Sequence, residues 1–196
     1  MFAGELAPRY GRELRLVGVV GLAAPSDLDL LAMSIAGTLG QGYLVMALSG
    51  LAAVDPSVHL ETLLAPPARG RIDVLGTGCY QEIMNAFADL TADELLVGGA
   101  LPPEIVAKLV PNNPGQSPGA APILLLQGAA DETVPSFVAE SLLAAYCTQG
   151  SVAALRMYPD VTHDAILTAS MHDAIGWIHG RFDGDPAPSD CAGVER

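Results

Sequence analysis

Positive charge is what this sequence has least of. Lys108, in "AKLV", is its only lysine, and nine Lys and Arg stand against 22 Asp and Glu, a formal charge of −13. That balance argues against nucleic acid and anionic membrane surfaces as partners. A basic stretch followed by an apolar one is absent from "MFAGELAPRYGREL", so the chain opens with no signal-peptide pattern. Cysteine is scarce and odd in number (Cys79, Cys147, Cys191), so in an oxidising compartment one thiol has no internal partner. The Cys and His spacings match no zinc pattern, and no cofactor motif is present; neither metal nor cofactor is expected.

Apolar material is plentiful. It makes up 51% of the 196 residues, and the mean hydropathy is +0.38, enough for one sizeable core. Residues 30–54 carry no charge at all and are long enough to span a bilayer. Four glycines interrupt the run, and its ends carry Asp29 and Asp55 where a membrane helix prefers Lys or Arg. An apolar helical hairpin packed over something greasy is the expectation, with a membrane span as the alternative.

Along the chain, the first residues read as the end of a helix and a loop. "RLVGVVGLAAP" (15–25) has the pattern of a buried parallel strand. Residues 26–110 are irregularly helical, and 111–122 is a Pro, Gly and Asn loop. "ILLLQG" is then a strand, "SFVAESLLAAYCTQG" a helix stopped at Gly150, and "VAALRMY" a third strand. A last helix carries Ile166, Ser170, Ala174, Ile178 and Phe182 at four-residue spacing. Right-handed crossovers make the three strands neighbours in one parallel sheet.

Two groups sit just past the carboxyl ends of strands, where parallel sheets place their chemistry. Asp131 follows "ILLLQG", and His163 follows "VAALRMY" at the start of the last helix. A buried carboxylate can hold an imidazole in the tautomer that takes a proton from a nucleophile. Singly, each reads as a turn cap or a helix start; together, after consecutive strands, they point to catalysis. Glu132, Asp160 and Asp164 compete for the role of acid but fit turns and helix starts. His172 and His179 read as faces of a helix.

The stretch from "PILLLQGAADETVP" to "DPAPSDC" resembles the end of an α/β-hydrolase of the secretory lipase (LIP-type) family. The resemblance lies in a strand closing on "QG..D..VP", a helix ending "YC..G", "Y.D..H" with His 32 residues after Asp (163 − 131), and a Trp-containing helix leading to "RF.G..P...C". "FAGELAPRYGRELRLVGVVGLAAPSDL" is similar to the segment after the nucleophile in the same family. The resemblance implies the C-terminal part of an α/β-hydrolase, three parallel strands with helices and a large helical cap insertion. Residues 1–27 would be the end of the nucleophile helix and the next strand, 28–118 the cap, 119–183 the core with Asp and His, and 184–196 an irregular tail. It implies Asp131 as orienting acid and His163 as general base. The strand–turn–helix bearing the family's serine falls before Phe2, outside this sequence. The implied substrate is an apolar lipid or ester, and the full-length relative is extracellular.

Ser117 does match G-x-S-x-G in "GQSPG". A nucleophile elbow needs a strand before it and a helix after it, and Ser117 follows "VPNNPGQ" and precedes a strand. Ser49, in "ALSGL", lacks the first Gly. The resemblance also implies a disulfide between Cys147 and Cys191, leaving Cys79; three buried thiols are the alternative. The expected activity is carboxylic-ester hydrolysis. The alternative functions are a non-catalytic hydrolase-like module that binds apolar ligands, and a helical membrane-associated protein. Without a neighbour, the strand at 15–25 is an unpaired edge, so the chain alone is expected to aggregate, to stay molten or to self-associate. A sharp, reversible unfolding transition of a monomer contradicts that expectation.

Overall fold

The structure is a computed structural model and describes residues 1–193. In chain order its main elements are α1 (Phe2–Tyr10), β1 (Val19–Leu22), α2 (Leu28–Ile35), α3 (Gln41–Val54), α4 (Tyr80–Phe87), α5 (Pro103–Leu109), β2 (Ile123–Gly128), α6 (Ser136–Thr148), β3 (Ala153–Tyr158) and α7 (Ile166–Asp183). Single-turn helices lie between α3 and α5. The chain divides into two units, one made of Met1–Asp27 with the chain from Asn113 onward, the other of Leu28–Asn112. Residues 113–118, which the sequence assigns to the insertion, group with the sheet, where the Gly115 N–H donates to Glu5 Oε1 at 2.9 Å.

The first unit is a three-stranded parallel sheet in the order β1-β2-β3. Side chains alternate across a strand, and β2 uses both of its faces. Ile123 and Leu125 pack with Leu142, Tyr146 and Cys147 of α6, while Leu124 and Leu126 pack with Ala174 and Trp177 of α7. With a helix on each face, all six residues of β2 are buried, which is why Ile123 to Leu126 form an unbroken apolar run. The fold is α/β, as the strand and helix pattern predicts. β1 is shorter than its apolar run: only Val19–Leu22 pair with β2.

The last helix buries only part of its four-residue series. Ile166, Ser170, Ala174 and Arg181 are its buried residues, whereas Ile178 and Phe182 are exposed. Four-residue spacing drifts about 40° per step round a 3.6-residue helix, so a series begun on the buried face leaves it within three turns.

Two ties close the unit. Glu5 of α1 also accepts the Tyr146 hydroxyl at 2.6 Å, and burial followed by this carboxylate pushes the phenol far above its ordinary range. Cys147 is bonded to Cys191 with an S–S distance of 2.01 Å, while Cys79 is free and exposed. The tail this bond anchors borders β3: Asp190 donates its N–H to Ala153 O at 2.9 Å and accepts the Leu155 N–H on Oδ2 at 2.9 Å.

In the second unit the uncharged run becomes two helices, α2 and α3, separated at Gly37, whose φ of +80° suits glycine. Gln41 is wholly buried there. Its amide accepts the Gly37 N–H and donates to the carbonyls of Phe87 and Leu90. Among the described residues no helix is long and apolar enough to cross a membrane. The core holds Leu48, Leu64, Phe87, Leu95 and Leu96. The lone lysine pairs with Asp55 at 2.6 Å, and that bond, with Ser57, holds the Asp55 carboxyl far below its usual range.

The disulfide closes a span of 44 residues. Loop-closure entropy for that length predicts that replacing both cysteines by serine costs about 4 kcal/mol of stability, measurable by denaturant unfolding. A loss under about 1 kcal/mol would show that the tail contributes little constraint.

Candidate active site

β2 ends at Gly128 and the chain turns at once. Asp131 shapes that turn itself: its Oδ1 accepts the N–H groups of Thr133 at 2.9 Å and Val134 at 2.7 Å, a local pattern aspartate favours. Its Oδ2 accepts Gln127 Nε2 at 3.0 Å and lies 2.9 Å from His163 Nδ1. Four donors thus converge on one carboxylate whose side chain has no exposed surface. His163 keeps 23% of its side-chain surface exposed.

The two turns are fastened to each other through the backbone. Ala129 N–H donates to Tyr158 O at 2.8 Å, and Ala130 N–H to Val161 O at 3.0 Å. The approach is close enough that a Cβ on Gly128 would sit 2.2 Å from Val161 O, so only glycine fits there. Asp160, in the second turn, adopts a positive φ of 57°, which aspartate tolerates better than most residues. Beyond the turn, Tyr158 donates its hydroxyl to Asp173 Oδ2 at 2.5 Å and Arg156 Nη1 pairs with the same oxygen at 2.7 Å. These bonds, the phenol first, hold the Asp173 carboxyl below its usual range, while burial and Asp173 raise the Tyr158 phenol.

With Nδ1 given to Asp131, the lone pair of a neutral His163 ring lies on Nε2, the atom that can take a proton from a hydroxyl. The structure therefore brings together the two residues that sequence selects, and Glu132, Asp160 and Asp164 are exposed at the surface. It adds Gln127, which sequence reasoning did not select. Gln127 is wholly buried, and its Nε2 faces only acceptors: Asp131 Oδ2, Val134 O at 2.9 Å and Gly128 O at 3.2 Å. The only signal for it was its place four residues before the aspartate.

The serines have other settings. Ser117 is exposed in the loop before β2, with no strand leading into it and no helix following. Ser49 lies within α3. Ser26 is buried and donates its hydroxyl to Val138 O at 3.2 Å.

Comparison with known proteins defines the class first. The chain superposes on Candida antarctica lipase A in its closed state with a TM-score of 0.83 at 19% identity, covering all of this chain and 49% of that one. It superposes on the rice cell wall degrading esterase LipA from Xanthomonas oryzae with a TM-score of 0.72 at 17% identity, covering 93% and 54%. The fold is that of the α/β-hydrolases. A model of the secretory lipase family matches residues 1–190, and the chain belongs to that family. Among its relatives, Lipase A of Arthroderma benhamiae is 26% identical over 97% of this chain and 42% of its own length. Lipase 1 of Candida albicans is 26% identical over 100% and 45%. A secreted triacylglycerol lipase of Malassezia globosa is 25% identical over 97% and 43%. The chain spans less than half the length of these curated relatives.

Two outcomes are expected. Gly128→Ala pushes Val161 and the His163 turn away, so the low-field imidazole N–H proton resonance of a ring held by Asp131 disappears; its persistence would show that the turns are not held by this contact. Asp173 has a lowered folded-state pKa, so its contribution is present above the usual carboxylate range and fades as pH falls through the lowered value. Asp173→Asn therefore lowers Tm at neutral pH, and the gap to the parent closes in acid. A gap that stays constant with pH would assign Asp173 no such role.

Proposed function

We propose that this chain carries the acid and the base of a Ser-Asp-His ester hydrolase acting on lipids or other apolar esters, the serine coming from polypeptide outside the chain. The observation that carries the reading is the 2.9 Å bond between Asp131 Oδ2 and His163 Nδ1 at the carboxyl edge of the sheet. Family membership and the fold support the same class of chemistry. The relatives' printed names, including secreted triacylglycerol lipase, support an apolar ester and an extracellular setting.

The proposed mechanism is built on the Asp131–His163 pair. His163 Nε2 takes the proton of the attacking serine, and the Ser Oγ–carbonyl bond forms. The imidazolium then donates that proton to the departing alkoxide as the ester C–O bond breaks. In the second half His163 takes a proton from water, the hydroxide attacks the acyl-enzyme, and the proton returns to serine as the acid leaves. Asp131 holds the ring and stabilises the imidazolium; Gln127 and the Thr133 and Val134 amides hold Asp131. Ser117 takes no part.

The test is hydrolysis of a p-nitrophenyl acyl ester by the enzyme encoded by the complete reading frame. His163→Ala lowers kcat by about 10⁴-fold or more, and Asp131→Asn by a comparable factor. Ser117→Ala leaves kcat unchanged. Activity that survives His163→Ala would overturn the assignment. Gln127→Leu, as the loss of a positioning bond, lowers kcat with KM nearly constant and is partly restored by Gln127→Asn; a change confined to KM would place Gln127 in binding instead.

A further inference from the structure

His163 stands in a short segment between the end of β3 at Tyr158 and the start of α7 at Ile166. α7 begins without a side-chain cap: Ala165 occupies the N-cap, and the Ile166 N–H donates to Thr162 O at 3.2 Å. A helix begun in this way is not anchored by its first turn, so its place along the sheet has to be set further in.

The inner face of α7 supplies burial but no direction. Ile166 and Ala174 are buried, and Trp177 packs into the same layer as Leu124 and Leu126 of β2. Ser170 is buried too, yet its hydroxyl donates to Ile166 O of its own helix at 2.6 Å. Apolar burial is non-directional, so these contacts hold α7 against the sheet without fixing where along β3 it stops. Among the described residues, every side-chain hydrogen bond or ion pair between α7 and the sheet comes from Asp173. That residue lies two turns into the helix, about 10 Å along the axis from Ile166.

Tyr158 is bonded in two directions. Its carbonyl accepts the Ala129 N–H at 2.8 Å, which ties it to the Asp131 turn, and its hydroxyl donates to Asp173 Oδ2 at 2.5 Å. His163 is five residues after Tyr158 (163 − 158) and ten before Asp173 (173 − 163), so the hydroxyl bond closes a loop that contains the histidine. Arg156 Nη1 reaches the same oxygen at 2.7 Å, but 52% of its side chain is exposed, and exposed ion pairs contribute little. The Tyr158 bond is the stronger constraint: the ring packs with Leu124, Leu126 and Ala174, and a hydroxyl donating to a carboxylate makes a short, charge-assisted bond. Burial, then the Asp173 carboxylate, pushes the phenol above its ordinary range, so the hydroxyl keeps its proton and stays a donor.

We propose that Tyr158 and Asp173 are positioning residues for His163: the bond between them sets the height of α7 on β3, and with it the place where the imidazole meets Asp131 Oδ2. The inference rests on the reading of His163 as the base. Misplacing a catalytic group by about 1 Å costs on the order of a hundredfold in rate, and the height of α7 is the coordinate that apolar packing leaves open. A bond that only stabilised the helix would lower Tm when removed and leave His163 where it is.

Two readouts separate positioning from stability. The low-field imidazole N–H proton of His163, identified by its loss in His163→Ala, is read on this chain. The kcat and KM for a p-nitrophenyl acyl ester are read on the enzyme encoded by the complete reading frame. Tyr158→Phe displaces and weakens the low-field resonance, lowers kcat by about tenfold and leaves KM nearly constant. Asp173→Ala lowers kcat by about a hundredfold, and Asp173→Asn, which keeps an acceptor for the hydroxyl, recovers most of that loss. Tyr158→Phe adds nothing in an Asp173→Ala background, because both remove one bond. Lys108→Met, which breaks an ion pair in the other unit, is the control: Tm falls and neither readout moves. A resonance and a kcat indifferent to Tyr158→Phe, a change confined to KM, additive effects of the two substitutions, or the same losses in Lys108→Met would each overturn the proposal. The resonance is read without an ester, so variants that displace it beside an enzyme that hydrolyses nothing count against the proposed function and for the positioning bond.

Discussion

The closeness of two turns is what brings Asp131 and His163 together. Asp131 and His163 come from different strands and are 32 residues apart (163 − 131), yet their side chains meet at 2.9 Å because the turn after β3 lies directly on the turn after β2. Gly128 permits that contact by having no side chain, and the parallel pairing of Gly128 with Tyr158 puts both turns at the same level of the sheet. The apolar Ile123–Leu126 stretch of β2, buried on both faces, fixes that level. Hydrophobic burial of the strand thus sets the position of a polar pair at its end.

Around the pair, polar groups are used economically. Asp131 takes four donors on two oxygens, three of them from its own turn and from Gln127, so its orientation does not depend on the histidine. A preorganised acceptor of this kind holds an imidazole without rearranging when the ring gains charge. Gln127 Oε1 has no hydrogen-bond partner among the described residues. That unmet acceptor is the cost of aiming the amide N–H groups at the carboxylate and the Val134 carbonyl.

Much of this was legible in the sequence, for particular reasons. Asp131 and His163 stood out because each comes after an apolar run that can only be a buried strand, and strand ends are recognisable even where their pairing is not. The α/β class and the break of residues 30–54 into two helices were readable from periodicity and from glycines in a run without charge. Gln127 was not legible, since a glutamine inside a strand carries no pattern that separates a buried orienting amide from a surface one. Which face of α7 meets the sheet was not legible, because the helix is apolar over about half its circumference and spacing alone cannot say which half is buried. The grouping of residues 113–118 with the sheet depends on Glu5 reaching Gly115 across 110 residues, a long-range bond that composition does not reveal.

The proposed function has Asp131 and His163 serving a serine supplied from outside this chain. Incubating the chain alone with a fluorophosphonate and mapping the adduct by mass spectrometry tests it directly, because such reagents mark a hydroxyl activated by a positioned base. The expected result is no adduct on any serine of residues 1–193, Ser117 included. An adduct on Ser117 that His163→Ala abolishes would contradict the claim, and would make this chain a complete catalyst by itself.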